Sequence, residues 1–172
     1  MSSLTDTLCT RCGLCCDGSL FADVELAGRA EATRLEILGL EVEDGDSGGA
    51  LLVQPCAALK GRRCGIYEHR PQCCRTFECR LLQETRRGVV SVDRALDQIV
   101  ATLDSIARAE SLLVQLGRPV ERLPLQERCA EALAEAKGVG PDQNRLRTEL
   151  AAVMSELRSR VQRTFLGAPD AQ

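Results

Sequence analysis

The sequence has very few aromatic residues and a single histidine. None of its 172 residues is Trp, one is Tyr and three are Phe, so aromatic residues make up 2% of the chain. Proteins that bind single-stranded nucleic acid stack bases on aromatic side chains, so this composition disfavours that class. We find no Ser/His/Asp or Cys/His arrangement typical of nucleophilic catalysis. No catalytic residue is therefore assigned.

Strong net charge and long apolar runs are also missing. The formal net charge is −3, which disfavours a generally basic surface for nucleic acid or lipid. No apolar run approaches the roughly 18 residues that a membrane span requires. The first residues lack the basic and apolar regions of a secretory signal. We therefore expect a cytoplasmic protein with neither a nucleic-acid partner nor a membrane.

Cysteine, by contrast, is abundant. The chain has ten cysteines, and all but Cys129 lie in its first half. A reducing cytoplasm keeps thiols free, so dense cysteines there favour metal binding over disulfides, which are the less favoured alternative. Cys129 lies among Ala and Leu residues and is expected to be a core residue.

The composition divides the chain near residue 90 into two predicted regions, 1–88 and 89–172. The fold class is predicted to be mainly α, with an irregular cysteine-ligated module of short helices and two short strands. Its strands are expected within 21–26 and 50–53, and its helices over 31–38 and from Pro71 through Leu82. These segments bury little apolar area, so a bound metal is expected to stabilise the module.

The second region has the pattern of long helices. Ser91 is a candidate N-cap for a helix ending near Gly117, a second helix is predicted from Pro124 to Gly138, and a third begins at Pro141. This third helix carries an apolar stripe at spacings of three and four: Leu146, Leu150, Val153, Leu157, Val161 and Phe165. The stripe predicts a helical hairpin or small bundle packed on the module. The alternative is that the stripe forms the seam of a homodimer.

The densest group of thiols is Cys9, Cys12, Cys15 and Cys16, four cysteines in eight residues. Two-residue spacings bring sulfurs together around one ion, and both zinc and iron–sulfur clusters take four thiolates. The side chains of the adjacent Cys15 and Cys16 tend to diverge, so one of them is a candidate ligand for a second ion. A later group contains Cys56, Cys64, the pair Cys73 and Cys74, and Cys79. Taking one of that pair gives eight thiols, and spacing alone does not decide between two separate sites and one polynuclear site.

These residues resemble the CxxCxxCC family of YkgJ-like cysteine-cluster proteins, which are described as zinc- or iron-chelating. The resemblance covers roughly residues 9–82, through Cys-x2-Cys-x2-Cys-Cys, a lone cysteine, and Cys64-Gly-Ile-Tyr67 continuing to Cys79. It implies eight metal ligands: Cys9, Cys12, Cys15, Cys16, Cys56, Cys64, Cys74 and Cys79. Cys73 falls on a variable position and is an extra thiol. Flagellin lysine N-methylases carry a similar domain, but we find no Gly-rich nucleotide loop after a strand here.

Four further residues are expected to surround the ligands. Tyr67 and Phe77 are candidates to shield the site from water, and Arg70 and Arg75 are candidates to offset thiolate charge or to mark a turn. From Lys60 to Gly88 there are eight cations and three anions, which suits a site formally charged −2 or a solvated basic face. The lone His69 is not expected to be a ligand.

Three functional hypotheses follow. The first is iron–sulfur cluster binding, with [4Fe–4S] or iron favoured, for electron transfer or redox sensing. The second is a structural zinc module that binds a protein partner. The third is an accessory component of protein methylation.

Overall fold

The computed structural model describes residues 4–46, 48–118, 122–134 and 140–167. The chain forms two compact units, Met1–Cys79 and Arg80–Gln172. The boundary predicted from composition lies later in the chain, after residue 88. The helix over Arg80–Arg86 therefore belongs by packing to the second unit, where it contacts the next helix and the C-terminal helical turn.

The first unit consists of short elements around a small antiparallel sheet. Its elements are α1 (Leu4–Cys12), β1 (Asp23–Glu25), α2 (Arg29–Ile37), β2 (Val42–Asp44), β3 (Ala50–Val53), β4 (Leu59–Lys60), β5 (Arg63–Cys64), a 3-10 turn (Tyr67–His69) and α3 (Gln72–Thr76). The sheet has the order β1-β3-β2, and β4 pairs with β5 as a separate hairpin. The two predicted strands are confirmed in β1 and β3, while β2, β4 and β5 were not predicted.

The core of this unit lies between the sheet and α2. Leu52 pairs with Val24 on one side and Val42 on the other, so these apolar residues form a row across the sheet. Ala32 and Leu35 of α2 are fully buried in the same cluster. The cluster is small, and the half-buried Cys56 and Cys73 pack against it. Two cysteines of the later group therefore connect directly to the core.

The helix predicted from Pro71 through Leu82 is wrong as a single element. It is interrupted between α3 and α4 (Arg80–Arg86), because Phe77 takes an extended conformation with φ −68° and ψ 126°. The helix α1 was not predicted either, and both Cys9 and Cys12 lie on it. Apolar periodicity is weak in both places, so it gave no signal for these boundaries.

The second unit is helical, as predicted. It contains α4, α5 (Val92–Gln115), α6 (Leu125–Ala134) and α7 (Pro141–Val161), which continues into a π-helical turn (Gln162–Leu166). The Ser91 side chain accepts a hydrogen bond from the Arg94 amide at 3.2 Å, which confirms the predicted N-cap of α5. Gly117 follows α5 with φ +76°, as its predicted end requires. The predicted end of the second helix, at Gly138, lies outside the described residues.

The apolar stripe of α7 is used within the chain. Leu150, Val153, Leu157, Val161 and Phe165 are each 7% exposed or less. α7 packs mainly against α5 in the same unit. The stripe therefore forms part of the core of a helical bundle within the second unit, which confirms the predicted bundle. Within the described residues, no helix is both long and apolar enough to cross a bilayer.

Candidate metal centre

All ten cysteines lie in described residues, and all ten are free thiols. Nine of them lie in the first unit. Because none is joined to another, the disulfide alternative receives no support from the structure. Cys9 is exposed, Cys12 is buried, and the other motif cysteines are half-buried. The thiols are therefore available to a ligand-binding site on this unit.

The turn after α1 places the first four thiols. Gly13 has φ +72° and ends the helix, and its amide donates to the Cys9 carbonyl. The Cys16 amide then donates to the Gly13 carbonyl at 2.9 Å. A Cβ at position 13 would lie 3.4 Å from the Arg62 backbone, so the turn sits close against the β4–β5 hairpin.

Arg62 of this hairpin holds the turn in place. One guanidinium nitrogen, Nη1, donates to the Cys12 carbonyl at 2.8 Å and lies 3.8 Å from a carboxylate oxygen of Asp17. Burial raises the pKa of Asp17, and its hydrogen bonds with Ser19 and the charge of Arg62 oppose that rise. Arg62 therefore links the cysteine turn to the strand that carries Cys64.

Four thiols influence one another around α1, and we call Cys9, Cys12, Cys15 and Cys79 the N-terminal set. Burial raises the pKa of Cys9 to about 11, and the charge of Cys79 adds to the rise. Burial likewise raises the pKa of Cys12 to about 12, with further contributions from Cys79 and Cys9. Burial is also the first cause of the raised pKa of Cys15, followed by the charges of Cys12 and Cys79. The charge of Cys79 thus affects three thiols that are distant from it in sequence.

The other four motif thiols form a second group, the hairpin set: Cys16, Cys56, Cys64 and Cys74. The Cys56 amide donates to the Cys16 carbonyl at 2.8 Å. Burial raises the pKa of Cys16 to about 12, and the charges of Cys56 and Cys64 raise it further. The charges of Cys16 and Cys56 also contribute to the raised pKa of Cys74. The charge of Cys16 also contributes to the raised pKa of Cys15, ahead of that of Cys9, so the adjacent Cys15 and Cys16 lie where the two sets meet.

Cys73 is a ninth thiol beside the hairpin set. Its Sγ lies 4.0 Å from the Sγ of Cys74, in hydrogen-bonding contact. This contact is the largest cause both of the lowered pKa of Cys73, about 7, and of the raised pKa of Cys74. When Cys73 loses its proton, Cys74 therefore keeps its own, because two adjacent thiolates would repel each other. Cys73 is only partly buried, and it also packs against the core cluster of the first unit.

The four surrounding residues differ from one another in role. The Arg70 guanidinium lies 3.8 Å from the centre of the Tyr67 ring. Burial dominates the pKa of both Cys9 and Cys16, but the charge of Arg70 lowers both values in part. Arg75 donates to the carbonyls of Arg70 and Glu68, so it supports the turn before α3. Arg70 is thus the arginine whose charge reaches both sets.

The two expected shielding rings are not buried. Tyr67 is 45% exposed and Phe77 is 40% exposed. Phe77 meets Phe21 edge to face, with ring centres 5.1 Å apart. Each ring is therefore only partly buried, with Phe77 against Phe21 and Tyr67 against Arg70.

Two supporting residues were missed in the sequence. Gln54 is 2% exposed, and its side-chain oxygen accepts a hydrogen bond from the Cys56 amide at 3.1 Å. Arg62 was counted among the cations but not singled out. No sequence signal distinguishes Gln54, whereas the position of Arg62 two residues before Cys64 could have drawn attention to it.

Two residues with possible metal-binding side chains, His69 and Cys129, lie outside the sets. His69 is exposed in the 3-10 turn and belongs to neither set. Cys129 is 1% exposed within α6, and burial raises its pKa to about 11. The prediction that Cys129 is a core residue is therefore confirmed.

Neither set is closed around a metal-sized position. Among the described residues, no three Cys, His, Asp or Glu side chains are grouped closely enough to hold an ion as they stand. The donors themselves suit zinc or iron, because both sets consist of sulfur alone. The raised pKa values of Cys9, Cys12, Cys15, Cys16 and Cys74 keep these five thiols protonated without metal. A metal would have to draw them together and release their protons, as is common when binding and folding are coupled.

Comparison with known proteins gives one match. A family model described as "CxxCxxCC: Putative zinc- or iron-chelating domain" matches residues 8–94. No curated protein and no solved structure matches the chain. The matched segment contains both thiol sets and leaves Cys129 outside, which supports metal binding in the first unit.

Proposed function

Because the chain belongs to the CxxCxxCC family, whose model includes both thiol sets, we propose that the eight motif cysteines bind metal as two groups of four. The favoured metal form is an iron–sulfur cluster, [4Fe–4S] above others, or iron. The proposed role is electron transfer or redox sensing. The observation that carries this proposal is the match of residues 8–94, which contain all eight motif thiols, to a zinc- or iron-chelating family model. The grouping of Cys12 with Cys9 and Cys79, and of Cys16 with Cys56 and Cys64, supports two sites.

The surroundings of the sets favour a redox role. A four-thiolate site with a doubly charged cluster core is formally −2, and nearby cations raise its reduction potential. The charge of Arg70 reaches thiols of both sets. The exposure of Cys9 leaves one edge of the N-terminal set open to an electron-transfer partner. These features are what a centre that changes charge would require.

The proposal extends to location and partners. Free thiols at this density fit a reducing compartment, and we propose the cytoplasm. The partners proposed are metal ions and a protein that exchanges electrons with the centre. A homodimer through the C-terminal helix would need a face of α7 other than its buried stripe.

Elemental analysis of protein purified without air tests the proposed metal form. We expect iron and acid-labile sulfide in similar amounts, with visible absorption that bleaches on reduction. Replacing Cys12 or Cys74 with Ser should remove iron, whereas Cys129→Ser should leave the iron content unchanged. Colourless protein that contains zinc alone would overturn the redox role.

A structural zinc module is the second candidate, and the small core of the first unit favours it. The buried cluster there contains few residues, so cross-linking by zinc would supply stability that apolar burial does not. In this role the unit would present a surface to a protein partner, including as an accessory component of protein methylation. Stoichiometric zinc without sulfide in anaerobic protein would support this candidate.

A further inference from the structure

The hairpin set is held by contacts that need no metal. Cys16 and Cys56 are joined by a 2.8 Å backbone hydrogen bond, and Cys56 packs against the core cluster. Cys64 lies in β5 directly opposite Leu59, whose amide in turn donates to the Cys56 carbonyl at 3.0 Å. The backbones of three of its four cysteines are therefore connected by hydrogen bonds and strand pairing within one small region.

The N-terminal set is held together less completely. Cys9 and Cys12 are three residues apart on α1 and share a face of that helix. Cys79, however, lies in the irregular stretch between α3 and α4. Most of the sequence of the first unit separates it from Cys15. Bringing Cys79 to the set closes a long loop, which costs conformational entropy.

The two sets also differ in access to solvent. Cys9 is the one motif cysteine that is exposed, and each thiol of the hairpin set is half-buried. A competing ligand in solution can therefore reach the N-terminal set at Cys9.

We propose that the two sets hold metal unequally, with a tight site at the hairpin set and an exchangeable site at the N-terminal set. This inference rests on the proposed function, that the motif thiols bind metal. Preorganised donors bind more tightly because less ordering is required when the ion arrives. Exchange begins at the N-terminal set when an external ligand replaces the Cys9 thiolate, which leaves the ion and takes a proton from water. The hairpin ion links β5 and α3 to the core and stabilises the fold.

Zinc release from the full-length protein tests this inequality, with Zn²⁺ as a probe for the sets whichever metal is resident. Protein loaded with Zn²⁺ without air is mixed with excess chelator, and released zinc is followed with an indicator dye. We expect two ions per chain and two equal phases, the faster at least about tenfold quicker than the slower. Cys9→Ser and Cys79→Ser should each remove or accelerate the fast phase alone. Cys129→Ser is the matched control and should keep both phases.

The two ways of failing are distinct. Release of both ions in one phase, or acceleration of the slow phase by Cys9→Ser, would overturn the inequality while leaving metal binding intact. Wild-type protein that retains no zinc, or cysteine variants that retain it as the wild type does, would overturn the proposed function itself. Cys64→Ser should lose the slow ion, but because it can fail to fold, the two N-terminal variants carry the test.

Discussion

At the scale of single residues, Arg62 is the side chain that most directly joins the cysteine turn to the hairpin. It donates to the Cys12 carbonyl at 2.8 Å and lies beside Asp17. We predict that Arg62→Ala loosens this turn and weakens metal binding by about tenfold, as loss of a group that orients ligands commonly does. Competition with a chelator of known affinity measures the effect.

The neighbouring Arg63 provides the matched control. It is an exposed arginine in β5, and its replacement removes the same charge from the same hairpin. We expect Arg63→Ala to bind metal nearly as the wild type does. Equal weakening by both substitutions would show that net charge, and not the hydrogen bond to Cys12, accounts for the effect of Arg62.

At the scale of elements, α5 is the longest helix, and its start depends on one hydroxyl. Ser91 accepts a hydrogen bond from the Arg94 amide, which would otherwise have no partner within the helix. We predict that Ser91→Ala destabilises the second unit by about 1 kcal/mol in urea unfolding followed by circular dichroism. Ser111→Ala, on an exposed face of the same helix, should change stability little because Ala favours helix interiors. A larger loss in Ser111→Ala than in Ser91→Ala would contradict the capping account.

The elements also show what the sequence could and could not predict. The caps and apolar spacing of α5 and α7 were readable because long helices repeat the same signal over many turns. The break at Phe77–Cys79 and the helix over Leu4–Cys12 were not, since their conformations depend on contacts with distant residues. The motif predicts which cysteines are ligands, but the backbone hydrogen bond between Cys16 and Cys56 joins residues that are distant in the sequence. Local sequence patterns carry no information about contacts of that range.

At the scale of the whole molecule, the two units are expected to respond differently to loss of metal. The thiol sets lie in the first unit, whose apolar cluster is small, and the longest helices lie in the second. We predict that a chelator added to metal-loaded protein unfolds mainly the first unit and leaves most of the helical circular dichroism. Complete loss of helicity would show that the two units fold as one.

X-ray absorption at the edge of the bound metal, on protein purified without air, is the most direct test of the claim that thiolates hold the ion. The account predicts a first shell of sulfur alone, at about 2.3 Å if the metal is zinc. Cys129→Ser should give the same spectrum, because that thiol is buried in the other unit. A first shell dominated by nitrogen or oxygen would contradict the account.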